Sequence, residues 1–190
     1  YYSGLTELSL PDGVETIGQS AFANTKLSSL TIPASVTSIG EGVFEGCESL
    51  ASITVNGRSN FQFESPFFFK LEGSSPVTLL ACLPAAVTWN ESYTVPVTVT
   101  RIGASAFDGC EIKTLTLPNG LLEIGSGAFT NCVYLQKLEI PETVTSIESS
   151  AFLFVDCDIT VSGSVKTLGQ GALSGVDCSS ITLSEGVEKV

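Results

Sequence analysis

The sequence has 190 residues and a net charge of −12, because 8 Lys and Arg residues stand against 20 Asp and Glu residues. This acidic excess disfavours nucleic acid and anionic membranes as partners. The sequence contains no His, the commonest general base of enzymes, and no apolar run approaches the roughly 20 residues that span a bilayer. We therefore expect no catalysis, no cofactor, no metal site and no membrane insertion. The sequence also lacks Met, and we expect residues 1–190 to be one domain cut from a longer chain.

The dominant feature of the sequence is an internal repeat. An apolar anchor residue recurs at steps of 22, 23, 40, 22, 23, 21 and 22 residues. The anchors are Leu8, Leu30, Ile53, Tyr93, Leu115, Leu138, Ile159 and Ile181. A period of this size indicates a solenoid, in which each unit buries its apolar edge only against its neighbours.

One copy, residues 27–49, shows how a unit should fold. The alternation Leu30-Thr31-Ile32 has the period of a half-buried strand, and Pro33 should end the strand because it lacks a backbone donor. The Ile-Gly and Ala-Phe positions that follow favour one tight helical or 3-10 turn that directs the Phe ring inward. We predict a repeat solenoid of short parallel strands joined by such turns.

In chain order, two regular copies occupy residues 5–49, and a third begins at residues 50–56. Regular copies resume over residues 93–158, and residues 159–190 form a degenerate pair without the Pro. The segment between them, residues 57–92, is an insertion that interrupts the period.

Within the insertion, two apolar runs suggest regular structure. Residues 67–71 and 77–83 flank the Gly-containing segment 72–76. Two such runs joined by a short segment with Gly predict a β-hairpin. We expect the tip at 72–76 to project from the stack of coils.

Six cysteines leave two alternatives open. Cys47, Cys110 and Cys132 each lie three residues after the repeat Phe, where other copies carry Thr25 or Val155. This interchange favours small, buried, unreactive positions with free thiols. The alternative is a disulfide framework, since coils about 4.8 Å apart would allow a bridge from Cys110 to Cys132. We favour free thiols, because the period explains three of the six cysteines.

Two sets of residues are candidate contacts for a partner. The outward strand positions should stack into one hydroxyl ladder, although Thr is also simply a good strand former. The ladder should run through Ser9, Thr31, Thr54, Thr94, Thr116, Glu139, Thr160 and Thr182, and the candidate contacts are Thr31, Thr54, Thr94 and Thr116. The insertion supplies aromatic candidates, which should mainly cover the core where the coil is interrupted. They are Phe67, Phe68, Phe69 and Trp89, the only Trp. Since successive strand residues point to opposite faces, we expect at least one of the three Phe rings to be exposed.

The repeat unit resembles a known family. The pattern LxxLxIPxxVxxIGxxAFxxC, present at residues 27–47 and 112–132, is similar to the leucine-rich repeats of the BspA-like surface proteins. The segments FFFK, LEGSSP and LLACLP resemble the enlarged repeat that interrupts the array in that family. The sequence departs from the family pattern at Ser162 and Ser184, which stand in place of Pro, and at Leu173, which stands in place of Phe. The resemblance implies a right-handed leucine-rich repeat coil with one hairpin insertion.

The resemblance also implies a function. It suggests a non-enzymatic, extracellular or cell-surface module for binding or adhesion, whose partner is a protein or glycan, host extracellular matrix included. The alternative is a structural spacer in a larger surface protein whose function lies in other domains. A binding module should expose a contiguous apolar or aromatic patch near the insertion, whereas a spacer should be uniformly polar.

Overall fold

The computed structural model describes residues 4–57, 59–88, 91–161 and 164–177, together with the backbone of residues 181–183. The chain forms a β-solenoid of about seven turns, which confirms the predicted repeat solenoid. Each regular coil contributes a first strand at the Leu-x-Ile positions and a shorter second strand before the tight turn.

Strands are numbered along the chain. The first strands are β2 (Ser29–Ile32), β4 (Ser52–Val55), β8 (Ser92–Thr94), β10 (Thr114–Thr116), β12 (Lys137–Glu139), β14 (Asp158–Val161) and β16 (Ile181–Leu183). The second strands are β1 (Thr16–Ile17), β3 (Ser38–Ile39), β9 (Arg101–Ile102), β11 (Glu123–Ile124), β13 (Ser146–Ile147) and β15 (Thr167–Leu168). The insertion contains β5 (Phe61–Glu64), β6 (Phe67–Glu72), β7 (Ser75–Cys82) and a 3-10 helix, Pro84–Ala86.

The first strands alternate in burial, as the sequence pattern predicts. In β2, Leu30 and Ile32 are buried while Ser29 and Thr31 face solvent. Equivalent residues of successive coils pair in parallel, for example Leu30 with Ile53. The apolar side chains of neighbouring coils therefore lie directly above one another, and the core is continuous along the stack.

The turn after each second strand is tight but not helical. In the turn at residues 103–110, the N–H groups of Ala106, Asp108 and Cys110 each donate to the carbonyl three residues earlier. Ser105 and Gly109 have positive φ angles of 52° and 66°, so the chain changes direction twice instead of continuing as a helix. Among the described residues, the one helix is the 3-10 turn Pro84–Ala86 in the insertion.

The insertion forms three antiparallel strands, and the predicted hairpin is the β6–β7 pair within them. The hairpin tip is a two-residue turn at Gly73 and Ser74, tighter than the predicted loop at 72–76. β7 then runs parallel to β9. The insertion thereby joins the sheet of second strands, whose order is β15-β13-β11-β9-β7-β6-β5. It replaces a coil of the stack instead of hanging from its side.

The three adjacent Phe residues of β6 are all buried, so the prediction that at least one is exposed is wrong. Phe67, Phe68 and Phe69 are 6%, 0% and 1% exposed. Phe67 and Phe69 pack in the core of the C-terminal coils, whereas Phe68 packs in the core of the N-terminal coils. Successive residues do point to opposite faces, but both faces of β6 are covered. A partner cannot contact these three rings directly in this structure.

The insertion thus acts as a partition between two cores, and its rings continue the row of repeat Phe residues. On the N-terminal side, Phe68 meets Phe44 edge-on with ring centroids 5.9 Å apart. On the C-terminal side, Phe67 meets Phe107 edge-on at 6.0 Å. Two neighbouring residues of one strand therefore take the place of the single ring that a regular coil would supply.

The cysteines predicted to be buried are core residues. Cys47 and Cys132 donate their thiols to the carbonyl oxygens of Phe22 and Phe107 in the preceding coil, at 2.9 and 3.0 Å. Burial raises the pKa of the Cys110 and Cys132 thiols well above the usual value, which makes these thiols poor nucleophiles. Free thiols are present at Cys47, Cys82, Cys110 and Cys132, and Cys157 is also buried. Cys178 lies outside the described residues.

Candidate functional site

The four candidate Thr residues lie on first strands, and all four are exposed. Thr31 pairs with Thr54 across β2 and β4, and Thr94 pairs with Thr116 across β8 and β10. These pairs belong to two separate sheets, while β12, β14 and β16 form a third. The prediction of one continuous ladder is therefore wrong, because the insertion separates the Thr31–Thr54 pair from the Thr94–Thr116 pair. The role of these Thr residues in partner binding stays a prediction.

An open cleft of about 610 Å³ lies beside the insertion. Its walls come from β4, the loop at 56–60, β5 and the hairpin tip. β4 is the last strand of its two-stranded sheet, and β5 is the last strand of the seven-stranded sheet. Apolar wall residues include Val55, Phe63 and Leu71, each half-buried. Strand edges next to half-buried apolar side chains are features that extended peptides recognise. Trp89, the remaining candidate of the insertion, lies outside the described residues.

Carboxylates from both sides of the insertion converge on Arg101. The guanidinium contacts Glu41 at 2.7 Å, Glu148 at 3.2 Å and Glu123 at 3.4 Å. Glu148 also accepts a hydrogen bond from the backbone N–H of Ser126 at 3.0 Å. Glu41 precedes the insertion and the other carboxylates follow it, so the cluster ties together coils that the insertion separates in sequence. All four charged side chains are partly solvated, which limits the contribution of each pair to stability.

Asp108 makes a second link across the insertion. Its carboxylate accepts hydrogen bonds from the backbone N–H of Gly46 and from the side-chain amide of Asn131, both at 3.2 Å. Elsewhere, neighbouring turns are joined by backbone bonds such as that from Gly109 to Thr130. Burial raises the pKa of Asp108, and nearby Glu48 raises it further, while the two hydrogen bonds oppose the shift. Asp108 thus supplies a side-chain contact where the regular ladder of turns is interrupted.

Among the described residues, the exposed large apolar side chains lie outside the insertion. They are Leu5, Val97, Leu122, Val133, Tyr134 and Phe154. The aromatic patch expected of a binding module near the insertion is therefore not found in its described part. Two exposed aromatic residues, Tyr134 and Phe154, instead lie on neighbouring turns of the C-terminal coils.

Phe154 is a residue that the sequence reasoning missed. The residue two positions after the repeat Phe, or after Leu173 in its place, has a positive φ in every described tight turn. These residues are Asn24, Gly46, Gly109, Asn131, Phe154 and Gly175. Gly and Asn adopt this conformation readily, but a bulky aromatic residue does so only under strain. Aligning the copies at this position would have revealed Phe154 as the exception.

Two kinds of site are absent from the described residues. These residues contain no group of three or more His, Cys, Asp or Glu side chains placed to hold a metal ion. Within the same ranges, no helix is long and apolar enough to cross a membrane. The charged groups described above connect coils: Arg101 pairs with three carboxylates, and Asp108 accepts hydrogen bonds from Gly46 and Asn131.

Comparisons with solved structures identify bacterial leucine-rich repeat proteins of similar fold. The pneumococcal vaccine antigen PcpA is 26% identical with a TM-score of 0.82, over 90% of this chain and 43% of that chain. A leucine rich cell surface protein from Faecalibacterium prausnitzii is 23% identical with a TM-score of 0.71, over 94% of this chain and 53% of that chain. A leucine-rich repeat protein from Eubacterium ventriosum is 23% identical with a TM-score of 0.73, over 95% of this chain and 55% of that chain. This chain thus spans about half the length of these structures.

The sequence itself matches a family model. No curated protein matches it. Residues 1–78 and 88–190, however, match the BspA type leucine rich repeat region in 6 copies. The matched ranges include the regular coils on both sides of the insertion and most of the insertion itself. The repeat period, the parallel coils and this match agree, and the chain belongs to the BspA-type leucine-rich repeat family.

Proposed function

We propose that this chain is a non-enzymatic binding module of a cell-surface or secreted protein, and that its partner is a protein or glycan such as host extracellular matrix. Family membership supports a repeat module. The protein of similar fold from F. prausnitzii is a cell surface protein, and the pneumococcal protein is a vaccine antigen. Both support a location outside the cell.

The observation that carries this proposal is the cleft beside the insertion. The regular coils direct the apolar residues of their first strands into the core and use most of their strand edges for pairing with neighbouring coils. At the insertion, by contrast, the last strands of two sheets flank an open cleft of about 610 Å³. A partner that inserts an apolar side chain there would contact Phe63 and Leu71 and could pair with the edge of β5. This surface is specific to the insertion, so it would distinguish this chain from a plain array of repeats.

The spacer alternative also has an observation in its favour. The described residues of the insertion bury Phe61, Phe67, Phe68 and Phe69, and the exposed positions of the first strands β2, β4, β8 and β10 carry Ser and Thr. Within the part of the chain that the structure describes, these strand positions lack the Trp, Tyr and Arg residues that dominate binding energy in most interfaces.

A variant with a bulky charged side chain in the cleft can distinguish a binding module from a spacer. Gln62 is exposed on β5 and lines the cleft, so Gln62→Arg should obstruct the cleft without disturbing the core. The matched control is Gln170→Arg, an exposed position on a tight turn. Both variants and the unchanged chain would be tested on arrays of purified matrix proteins and of host glycans, with circular dichroism to verify folding. We expect Gln62→Arg alone to weaken binding by about tenfold or more.

Two other outcomes have clear meanings. Equal binding by all three proteins would exclude the cleft and direct attention to the exposed Thr rows. Binding by none of them to any array member would favour the spacer function.

A further inference from the structure

The turn that contains Phe154 departs from the repeat in both conformation and exposure. Phe154 has a φ of 57°, a left-handed conformation that costs an aromatic residue free energy. Its side chain is nevertheless 57% exposed, so burial of the ring does not offset this cost. The ring lies over Gly175 of the next coil, where a Cβ atom would come within 2.8 Å of it. A strained residue that holds an apolar ring in solvent suggests a role in binding.

Two further apolar residues lie on the preceding turn. Val133 and Tyr134 are 49% and 45% exposed. The backbone N–H of Asn131 donates to the carbonyl of Leu153 at 3.0 Å, so this turn and the turn of Phe154 are direct neighbours. Stacked coils of this kind repeat at about 4.8 Å. The three exposed residues therefore lie on two adjacent turns of the stack.

Carboxylates border this surface. The fourth residue after the repeat Phe, or after Leu173 in its place, is acidic in four coils, the basic Lys26 in the first coil and the apolar Val133 in one. The four acidic residues are Glu48, Glu111, Asp156 and Asp177. Asp156 lies two residues after Phe154, and the backbone N–H of Asp177 donates to Val155 at 3.0 Å. Asp156 and Asp177 are both exposed, so the apolar surface has an anionic border within a chain of net charge −12.

We propose that Val133, Tyr134, Phe154, Asp156 and Asp177 form a docking surface, the aromatic turn patch, for a basic segment of a partner protein. The side chain of Arg or Lys can lie over an exposed Tyr or Phe ring and gain a cation–π interaction there. Its charge then reaches a neighbouring carboxylate, while an adjacent apolar side chain of the partner covers Val133. Anionic glycans and nucleic acid would be repelled by the same carboxylates. The patch shares no residue with the cleft at the insertion, so either proposal can fail without the other.

The test uses synthetic peptides as probes. One peptide alternates Arg with Leu, a second replaces Arg by Glu, and a third replaces Arg by Ser. Binding to the whole chain would be measured by fluorescence anisotropy at low and at high salt. We expect the Arg peptide alone to bind, with an affinity that falls as salt rises. Phe154→Asn should weaken this binding by about tenfold or more, and Asp156→Asn should reduce its salt dependence.

The choice of Asn keeps the test interpretable, because Asn131 and Asn24 occupy the equivalent left-handed position. We therefore expect Phe154→Asn to unfold at the same or a higher denaturant midpoint. Val97→Asn is the matched control, since Val97 is 82% exposed on a turn outside the patch, and it should leave peptide binding unchanged. Absence of binding by the Arg peptide would overturn the proposal. Equal binding by Phe154→Asn and the unchanged chain would overturn it as well.

Discussion

The coils before and after the insertion follow the same repeat but are packed differently. In the C-terminal coils, Phe129 stacks between Phe107 at 4.9 Å and Phe152 at 5.3 Å, with the rings within 7° of parallel. In the N-terminal coils, Phe22 stacks on Phe44 at 5.8 Å with an angle of 16°. The three C-terminal rings are 0% or 1% exposed, whereas both N-terminal rings are 7% exposed. Phe129, which lies between two regular coils, is thus packed more closely than Phe22 or Phe44.

The largest loss of stability is expected at Phe129, where the rings are packed most closely. Phe129→Ala should lower the free energy of unfolding by about 3–5 kcal/mol, because it leaves a cavity between two stacked rings. Phe22→Ala removes a ring that stacks, among the described residues, on Phe44 alone, and its cost should be clearly smaller. Urea denaturation of both variants measures the difference. If Phe129→Ala cost less than about 1 kcal/mol, the ring would not be the tightly packed core residue described here.

A second pair of variants tests whether the insertion separates two cores. Phe68→Ala should destabilise the N-terminal coils and Phe67→Ala the C-terminal coils, each by about 3 kcal/mol, because the two rings pack on opposite faces of β6. Native-state hydrogen exchange can show which coils each variant destabilises, because it reports the opening of individual segments. Phe68→Ala should speed exchange mainly in β2 and β4, and Phe67→Ala mainly in β9 and β11. Identical exchange patterns for the two variants would show that the solenoid opens as one unit.

The regular coils could be predicted from the sequence, because their period fixes which residues face the core. Leu30 and Phe129, for example, are buried where the pattern places them. The burial of Phe68 could not be predicted, since strand alternation shows only that neighbours point to opposite faces and not whether both faces are covered. The left-handed turns were also missed, because Ser105 and Asn131 are not residues that demand a positive φ.

The contacts between coils on opposite sides of the insertion could not be predicted from the spacing of residues in the sequence. Arg101 and Glu41 are 2.7 Å apart only because the insertion replaces a coil without supplying its tight turn, so that the turns before and after it meet. The cleft at β5 has the same origin, since it lies where the regular pairing of first strands stops at β4. Phe154 is different, because its departure from Gly or Asn is visible in the aligned copies.

A smaller effect is expected at the charged link between the two regions. Arg101→Gln removes contacts with carboxylates from both sides of the insertion, yet these side chains are partly solvated. We expect a loss of about 1 kcal/mol that shrinks as salt is added. Lys137→Gln is the control, because it removes an exposed ion pair with Glu139 within one strand and should have no measurable effect. A cost at Arg101 that is independent of salt would indicate that packing of its aliphatic stem, and not charge, connects the regions.

The smallest change in stability is expected at Asp108, the second link between the coils before and after the insertion. Burial raises the pKa of this carboxyl, so the folded state binds a proton more tightly than the unfolded state does. Stability therefore falls as pH rises from the ordinary pKa of Asp through the raised value, and the loss remains at neutral pH. Asp108→Asn cannot ionise but retains an oxygen that accepts from Gly46, so its stability relative to the unchanged chain should increase across that pH range. Asp12→Asn, at an exposed position, controls for the change in net charge. Urea melts at acid and neutral pH would measure both differences. A relative stability of Asp108→Asn that decreased with rising pH would show that the hydrogen bonds from Gly46 and Asn131 outweigh the burial of the carboxylate.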